Sequence, residues 1–230
     1  MKSKSVTKKN VHQIKSKKPW PTQDAMAQIY ENNLWGEGQS GYYSGIGSHH
    51  PDLVDPYVDA VSSFLSSFDP PLEVCDLGCG DFNVGKELVK YSKRFIAVDI
   101  VEDLIEHNRK AFKGENVEFR CLDIANDELP KGDCVLLRQV LQHLSNYEIK
   151  QVVDKLSAYK YVILTEHLPE GEFEPNKDII SGQGIRLKMN SGVDLLAPPF
   201  DLEVKGERQL LTQPAKESKG MIVTTLYTIY

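Results

Sequence analysis

At 230 residues, 40% hydrophobic and 26% charged, the chain is long enough for one domain with its own core and a modest extension. No apolar run approaches the roughly 20 residues needed to cross a bilayer, and "MKSKSVTKKNVHQIKSKK" at the N-terminus lacks the apolar stretch of a secretory signal. The net charge of −6 is unevenly held: residues 1–18 carry seven lysines and no acid, so the acidic remainder is a poor general binder of nucleic acid.

In chain order, residues 1–20 read as a basic, disordered tail. Residues 21–53 read as an N-terminal lid or cap: "TQDAMAQIYENNL" (22–34) starts a helix behind Pro21, and "WGEGQSGYYSGIGSHHPD" is too rich in Gly, Ser and aromatics for a regular element. In that stretch Trp35, Tyr42 and Tyr43 either close over a ligand or pack the segment on the domain. From residue 54 to 230 runs the main domain. It opens with a helix over 54–68, where Val54, Tyr57, Val58, Val61, Phe64 and Leu65 fall at helical spacing.

Beyond Pro70-Pro71 short apolar runs at 73–77, 95–99, 117–121, 134–138 and 160–165 predict strands, and the stretches near 84–92, 101–112 and 146–158 predict helices. That alternation predicts a Rossmann-like, mostly parallel seven-stranded sheet with helices on both faces. "FDLEVKGERQ" (200–209) and "MIVTTLYTIY" (221–230) have no helix between them, so the C-terminal strand should run antiparallel. Cys75, Cys79, Cys121 and Cys134 lie in or beside apolar runs with no zinc-site spacing, which suits a reduced, cytoplasmic protein without a metal.

Ligands of open α/β sheets bind beyond the carboxyl ends of the strands. "DLGCGDFNVG" (76–85) leaves the first strand there, and Gly78 and Gly80 allow a sharp turn and close backbone approach. A dinucleotide fingerprint needs glycine where Asn83 stands, which argues against an NAD-dependent oxidoreductase. Asp81 at a helix start suits a cationic ligand or a hydroxyl better than a pyrophosphate. Asp99, 19 residues after Gly80, ends the second strand and can accept both hydroxyls of a ribose, with Ile100 packed on a purine. In "CLDIA", Asp123 can accept from an adenine amino group while Ile124 covers the ring, unless Asp123 serves only as a turn residue. Together these describe a pocket for adenosine without a pyrophosphate.

"EVCDLGCG", "AVDI" and "CLDIA" resemble the cofactor motifs of class I S-adenosylmethionine-dependent methyltransferases, a likeness that covers residues 54–230. The resemblance implies S-adenosylmethionine as cofactor and S-adenosylhomocysteine as product. It puts Asp76, Gly78, Cys79 and Gly80 around the methionine part, Asp99 at the ribose, and Asp123 with Ile124 at the adenine. "LWG…SGIGS", "CGDFN", "VDIVEDLIEHN", "LLRQVLQHLS", the N-x-D of 176–178 and "APPF" (197–200) resemble, more narrowly, a bacterial group linked to glycan and small-metabolite methylation. This chain departs from that group at Val84 and Gln139, where the group tends to carry an aromatic and an aspartate.

The implied acceptor is a hydroxyl on a small polar metabolite or sugar, nucleotide-linked or in a glycan, with a small amine or a non-catalytic, cofactor-binding subunit as alternatives. His143, after the fourth strand, could take the acceptor's proton or merely bond backbone at a helix start. Glu166 and His167, expected just past the fifth strand, could bind the acceptor or share that role. The polar segment 166–186 is expected to wall the acceptor site, with Asn176, Asp178 and Arg186 as candidates, and Arg138 and Arg186 would suit an anionic acceptor. The catalytic tetrad of base amino methylation is missing, and a monomer or homodimer is expected.

Overall fold

The computed structural model describes residues 20–38, 41–216 and 219–230. The lysine-rich tail expected over 1–20 therefore lies, except for Trp20, outside the described residues. Seven strands form one sheet in the order β3-β2-β1-β4-β5-β7-β6. They are β1 (Glu73–Leu77), β2 (Arg94–Asp99), β3 (Val117–Cys121), β4 (Cys134–Arg138), β5 (Tyr161–Leu168), β6 (Gly206–Pro214) and β7 (Met221–Thr228). β1 through β5 pair in parallel, and β7 runs antiparallel to both β5 and β6. This is the mostly parallel sheet with an antiparallel C-terminal strand that the sequence predicts.

Strand periodicity sorts the side chains onto two faces. Cys75, Leu77, Ile96, Val98, Val135 and Leu137 share one apolar cluster with α1 (Thr22–Glu31) and α5 (Asn146–Leu156). Val74, Phe95, Ala97, Cys134 and Leu136 share the other with α2 (Pro51–Leu65) and α3 (Gly85–Leu88). α4 (Glu102–Ala111) sends Leu104 to the first and Ile105 to the second. Both faces of the central strands are thus dry, which is why their sequences read as unbroken apolar runs.

Some boundaries differ from expectation. The helix expected over 84–92 is only α3 followed by a 3-10 turn over Val89–Tyr91. β6 begins at Gly206 rather than at Phe200, which is buried in the core. β5 continues to Leu168 because Glu166, His167 and Leu168 pair with Val223, Ile222 and Met221 of β7. Glu166 and His167 are therefore strand residues, not the start of a loop.

Candidate active site

Strand order reverses between β1, which continues to β2, and β4, which continues to β5; a cavity of about 440 Å³ opens at the carboxyl ends of these strands. Its floor is the glycine loop after β1. The amides of Gly78 and Cys79 donate to the Val98 carbonyl at 2.8 and 2.9 Å, and Gly80 N–H donates to Asp99 Oδ2 at 3.0 Å. From behind, buried Asn108 of α4 donates to the Gly80 carbonyl at 2.7 Å. Gly78, at φ +86°, has no room for a side chain: a Cβ there would stand 2.3 Å from Val140 Cγ2. The loop is thus locked in shape before any ligand arrives.

Gly78, Cys79, Gly80, Asp99, Ile100, Asp123, Ile124, Gln139 and His143 all face this one cavity. Asp99 is 8% exposed, and burial raises its carboxyl above the usual range while the amides of Val101 and Gly80 pull it back. Asp123 also ties its own turn, accepting from the amides of Ala125 (2.9 Å) and Asn126 (3.3 Å). The turn role is thus formed, on the wall of the cavity.

Asp76 and Asp81 lie elsewhere. Together with Arg138 and Tyr57 they line a second cavity of about 20 Å³, roughly the room of one water. Asp76 projects into the apolar layer beneath α2, and desolvation pushes its carboxyl up to about 7 although Arg138 opposes the shift. Asp81 is held by the N-terminal segment: its Oδ2 accepts from Ser44 N–H at 3.0 Å and meets His49 Nε2 at 2.5 Å. In return its own N–H donates to Ser44 Oγ at 2.8 Å.

His143 ends a 3-10 turn (Leu141–His143) after β4. Its Nδ1 lies 3.1 Å from the Gly182 carbonyl, a pure acceptor, so Nδ1 carries the proton. Gln142 Oε1 accepts from His167 N–H, which turns the Gln142 amide nitrogen to His143 Nε2 at 3.2 Å. The tautomer is therefore fixed with an acceptor at Nε2. Burial lowers the imidazole to about 4, leaving it neutral at physiological pH. Glu166 and His167 are not on the cavity wall: Glu166 is 2% exposed within β5, and His167 Nε2 meets the Lys219 carbonyl at 2.9 Å.

The loop candidates are internal struts. Asn176 bonds Asp194 through both ends of its amide and also reaches the Ala197 and Pro198 carbonyls, joining the N-x-D and APPF segments. Asp178 Oδ1 accepts from Asn146 N–H at the start of α5. Arg186 is 1% exposed and donates to the carbonyls of Leu141, Gln142, Leu144 and Lys177 and to Asn146 Oδ1. Neither Arg138 nor Arg186 presents a free head group to the cavity.

Several wall residues were not singled out from the sequence as ligand contacts. Thr22, Met26 and Tyr30 of α1 line the cavity, as does the Ser44–Ser48 stretch. Tyr30 bonds Ser44 Oγ at 3.0 Å, and Trp35 packs between Tyr30 and His143 with centroids 5.3 and 5.2 Å away. Glu148 also lines it, and a legible signal marks it: "SNYE" (145–148) spells a helix capping box, which the structure forms.

A family model described as "Methyltransferase domain" matches residues 74–159, from β1 to just past α5. The N-methyltransferase NodS of Bradyrhizobium japonicum, solved with S-adenosylhomocysteine, superposes with a TM-score of 0.65 at 12% identity over 90% of this chain and all of that one. Magnesium protoporphyrin IX methyltransferase of Synechocystis, solved with S-adenosylmethionine, gives a TM-score of 0.56 at 17% identity over 93% of this chain and all of that one.

Residues 74–159 are a methyltransferase domain, set in a fold shared with S-adenosylmethionine-dependent methyltransferases. A stretch of 74 residues of this methyltransferase, 31% of its length, is also 39% identical to a malonyl-[acyl-carrier protein] O-methyltransferase of Acetivibrio thermocellus. The match covers only 26% of that relative. The two solved neighbours hold S-adenosylhomocysteine and S-adenosylmethionine, and the cleft of this chain has features that suit such a ligand. The locked glycine loop leaves no room for Cβ atoms at Gly78 and Gly80, and the carboxylates of Asp99 and Asp123 line the same cavity. No helix among the described residues of the methyltransferase is long and apolar enough to cross a membrane.

Proposed function

We propose that this methyltransferase transfers a methyl group to a hydroxyl of a small polar metabolite or sugar. When bound, S-adenosylmethionine supplies an electrophilic methyl on a cationic sulfur that departs as a neutral thioether. In this reading Gly78, Cys79 and Gly80 approach the methionine part, Asp99 accepts the ribose hydroxyls, and Asp123 with Ile100 and Ile124 holds the adenine. Asp76 lends negative charge from beneath the loop, and Asp81 acts by fastening Ser44 and His49 over it.

The observation that carries the hydroxyl assignment is the neutral His143 on the same wall, its Nε2 an acceptor by virtue of Gly182 and Gln142. An acceptor hydroxyl taking the place of the Gln142 amide would have its oxygen oriented and its proton received as the new bond forms. Orientation of this kind is worth far more than deprotonation beforehand by so weak a base. The relatives methylate different kinds of acceptor, so likeness alone does not choose the atom. The four cysteines Cys75, Cys79, Cys121 and Cys134 are all unpaired, which supports a reducing, cytoplasmic setting.

The test is to incubate the purified chain with methyl-labelled S-adenosylmethionine and a cell extract divided by size. Label in the small-molecule fraction is expected. Label confined to polymer would redirect the reading to glycan, protein or nucleic acid. No label in either, with S-adenosylhomocysteine still bound, would leave a cofactor-binding subunit without turnover.

A further inference from the structure

The charges around the cavity are all accounted for before an acceptor enters. Of its lining residues, Asp99, Asp123, Arg138 and Glu148 are the ones with a formal charge. Asp99 and Asp123 stand at the adenosine side. Glu148 is consumed by a three-way tie: its Oε1 accepts from Thr22 Oγ1, and its Oε2 from the hydroxyls of Ser145 and Ser181.

Arg138 is likewise engaged. One Nη donates to the Gly47 carbonyl at 2.5 Å, the other to Ser48 Oγ and Gln139 Oε1 at 3.3 and 3.4 Å. Its guanidinium lies 4.8 Å over the Tyr57 ring, and its Nε is buried. Arg186 is sealed under the Leu141–His143 turn and does not reach the wall.

What remains for the acceptor is the wall of Trp35, Gln139, His143, Gln183 and Ile185, without a formal charge. It offers the indole of Trp35, which packs between Tyr30 and His143, the apolar side chain of Ile185 and two side-chain amides. With the described residues, Gln139 Nε2 makes no hydrogen bond, and the Gln183 amide donates to the Leu34 carbonyl while its oxygen makes none. One amide donor and one amide acceptor are thus available beside the imidazole.

We infer that the acceptor is uncharged, a carbohydrate or similar polyol with a flat apolar face for Trp35 and hydroxyls for the amides and His143. A phosphate or carboxylate here would be desolvated without a cation, and an ammonium without a carboxylate, each a heavy penalty. Recognition of phosphate ordinarily recruits exposed Arg or Lys donors, and both arginines are already bonded to the chain. This excludes a nucleotide-linked sugar whose diphosphate enters the cavity. The inference rests on the hydroxyl reading above. The acceptor oxygen forms the C–O bond, the S–CH₃ electron pair stays on sulfur, and the hydroxyl proton leaves through His143 Nε2 to solvent, so the product keeps the acceptor's charge.

That conservation of charge makes the test direct. The small-molecule products of labelled S-adenosylmethionine and a deproteinised cell extract are passed over anion and cation exchangers in series. After subtraction of a control without the protein, which removes the unreacted cationic S-adenosylmethionine, we expect alkali-stable label in the unretained, neutral pool, at least tenfold above either retained pool. Label held by the anion exchanger would overturn the inference in favour of a phosphorylated or carboxylated acceptor, and label held by the cation exchanger in favour of an amine. Neutral label released as methanol by mild alkali would be a methyl ester, and would also overturn it, because its acceptor was a carboxylate. Methyl transfer itself would survive those three outcomes. No label in any pool, with S-adenosylhomocysteine still bound, would instead remove the proposed transfer and this inference with it.

Discussion

Arg186 and Glu166 are buried near each other, the guanidinium fully hydrogen-bonded and the carboxyl without a hydrogen-bond partner. The guanidinium is bound by four backbone carbonyls and Asn146 Oδ1, while neither oxygen of Glu166 meets a partner. Desolvation pushes the Glu166 carboxyl up to about 8, and the nearby Arg186 charge offsets only part of that. Arg186 braces the turn that carries Gln142 and His143, and neither residue lines the cavity.

The folded chain therefore keeps a proton on Glu166 that the unfolded chain has released. Stability should decline as pH rises from the usual carboxylate range to about 8, and then level off. Glu166→Gln removes this slope. Each kcal/mol is worth roughly 2–4 °C in Tm at this chain length, and the variant's advantage at pH 8.5 should exceed one such step and vanish at pH 5. Calorimetric melts at the two pH values check this; a variant less stable at pH 8.5 would show that the native carboxylate is ionised and paired.

His143 has the opposite linkage. Its imidazole is lowered to about 4 by burial, so the folded chain holds it neutral while the unfolded chain binds a proton, and stability falls as pH drops from the ordinary histidine value toward 4. Methyl transfer should show no limb from this group between pH 6 and 8. His143→Gln should lower kcat by roughly 10²-fold or more while S-adenosylhomocysteine affinity is unchanged. An unchanged kcat would reduce His143 to a strut between Gly182 and Trp35.

Asp99→Asn tests the cofactor side. Gly80 N–H donates to Oδ2 and Val101 N–H to Oδ1, so the variant keeps an acceptor for one of these amides and loses the charge and the other acceptor. Hydrogen bonds to a charged group are worth about 1.5–3 kcal/mol, so S-adenosylhomocysteine should bind roughly 10- to 100-fold more weakly by titration calorimetry. Binding at parental strength would place the ribose elsewhere.

Asp81→Ala tests the fastening of the N-terminal segment. Losing its carboxylate strands Ser44 N–H and His49, and the amides of residues 44–50 should exchange with deuterium about tenfold faster or more. Retained protection would mean that Trp35 and Tyr30 suffice to hold the segment down.

The glycine loop and carboxylates of the cavity were legible because they are local. Gly78, Gly80, Asp99 and Asp123 sit at strand ends that the apolar runs announce, each within a few residues of its element's boundary. Glu166 and His167 were misplaced for a non-local reason: β5 is lengthened by pairing with β7, more than fifty residues later, and nothing near Thr165 marks that. Arg186 reads as a polar loop residue because the carbonyls that engulf it lie about forty residues upstream. Asp81, beside the glycines, invites a ligand role, but its partners Ser44 and His49 come from the N-terminal segment more than thirty residues upstream. Glu148 was readable from its capping box alone.

Three glycines of the cavity each yield their missing side chain to a neighbour from a distant segment. A Cβ on Gly78 would strike Val140, one on Gly80 would strike Ser44, and one on Gly47 would strike Gln139, all within 2.4 Å. Gly78 and Gly80 also hold positive φ, so a smaller Val140 or Ser44 would relieve the clash but leave the backbone strain, whereas at Gly47 the end of the flexible Gln139 side chain can swing aside. Saturation mutagenesis should therefore score positions 78 and 80 as intolerant even when paired with 140 and 44. A library at 47 with 139 is the one able to find altered cavities that still fold.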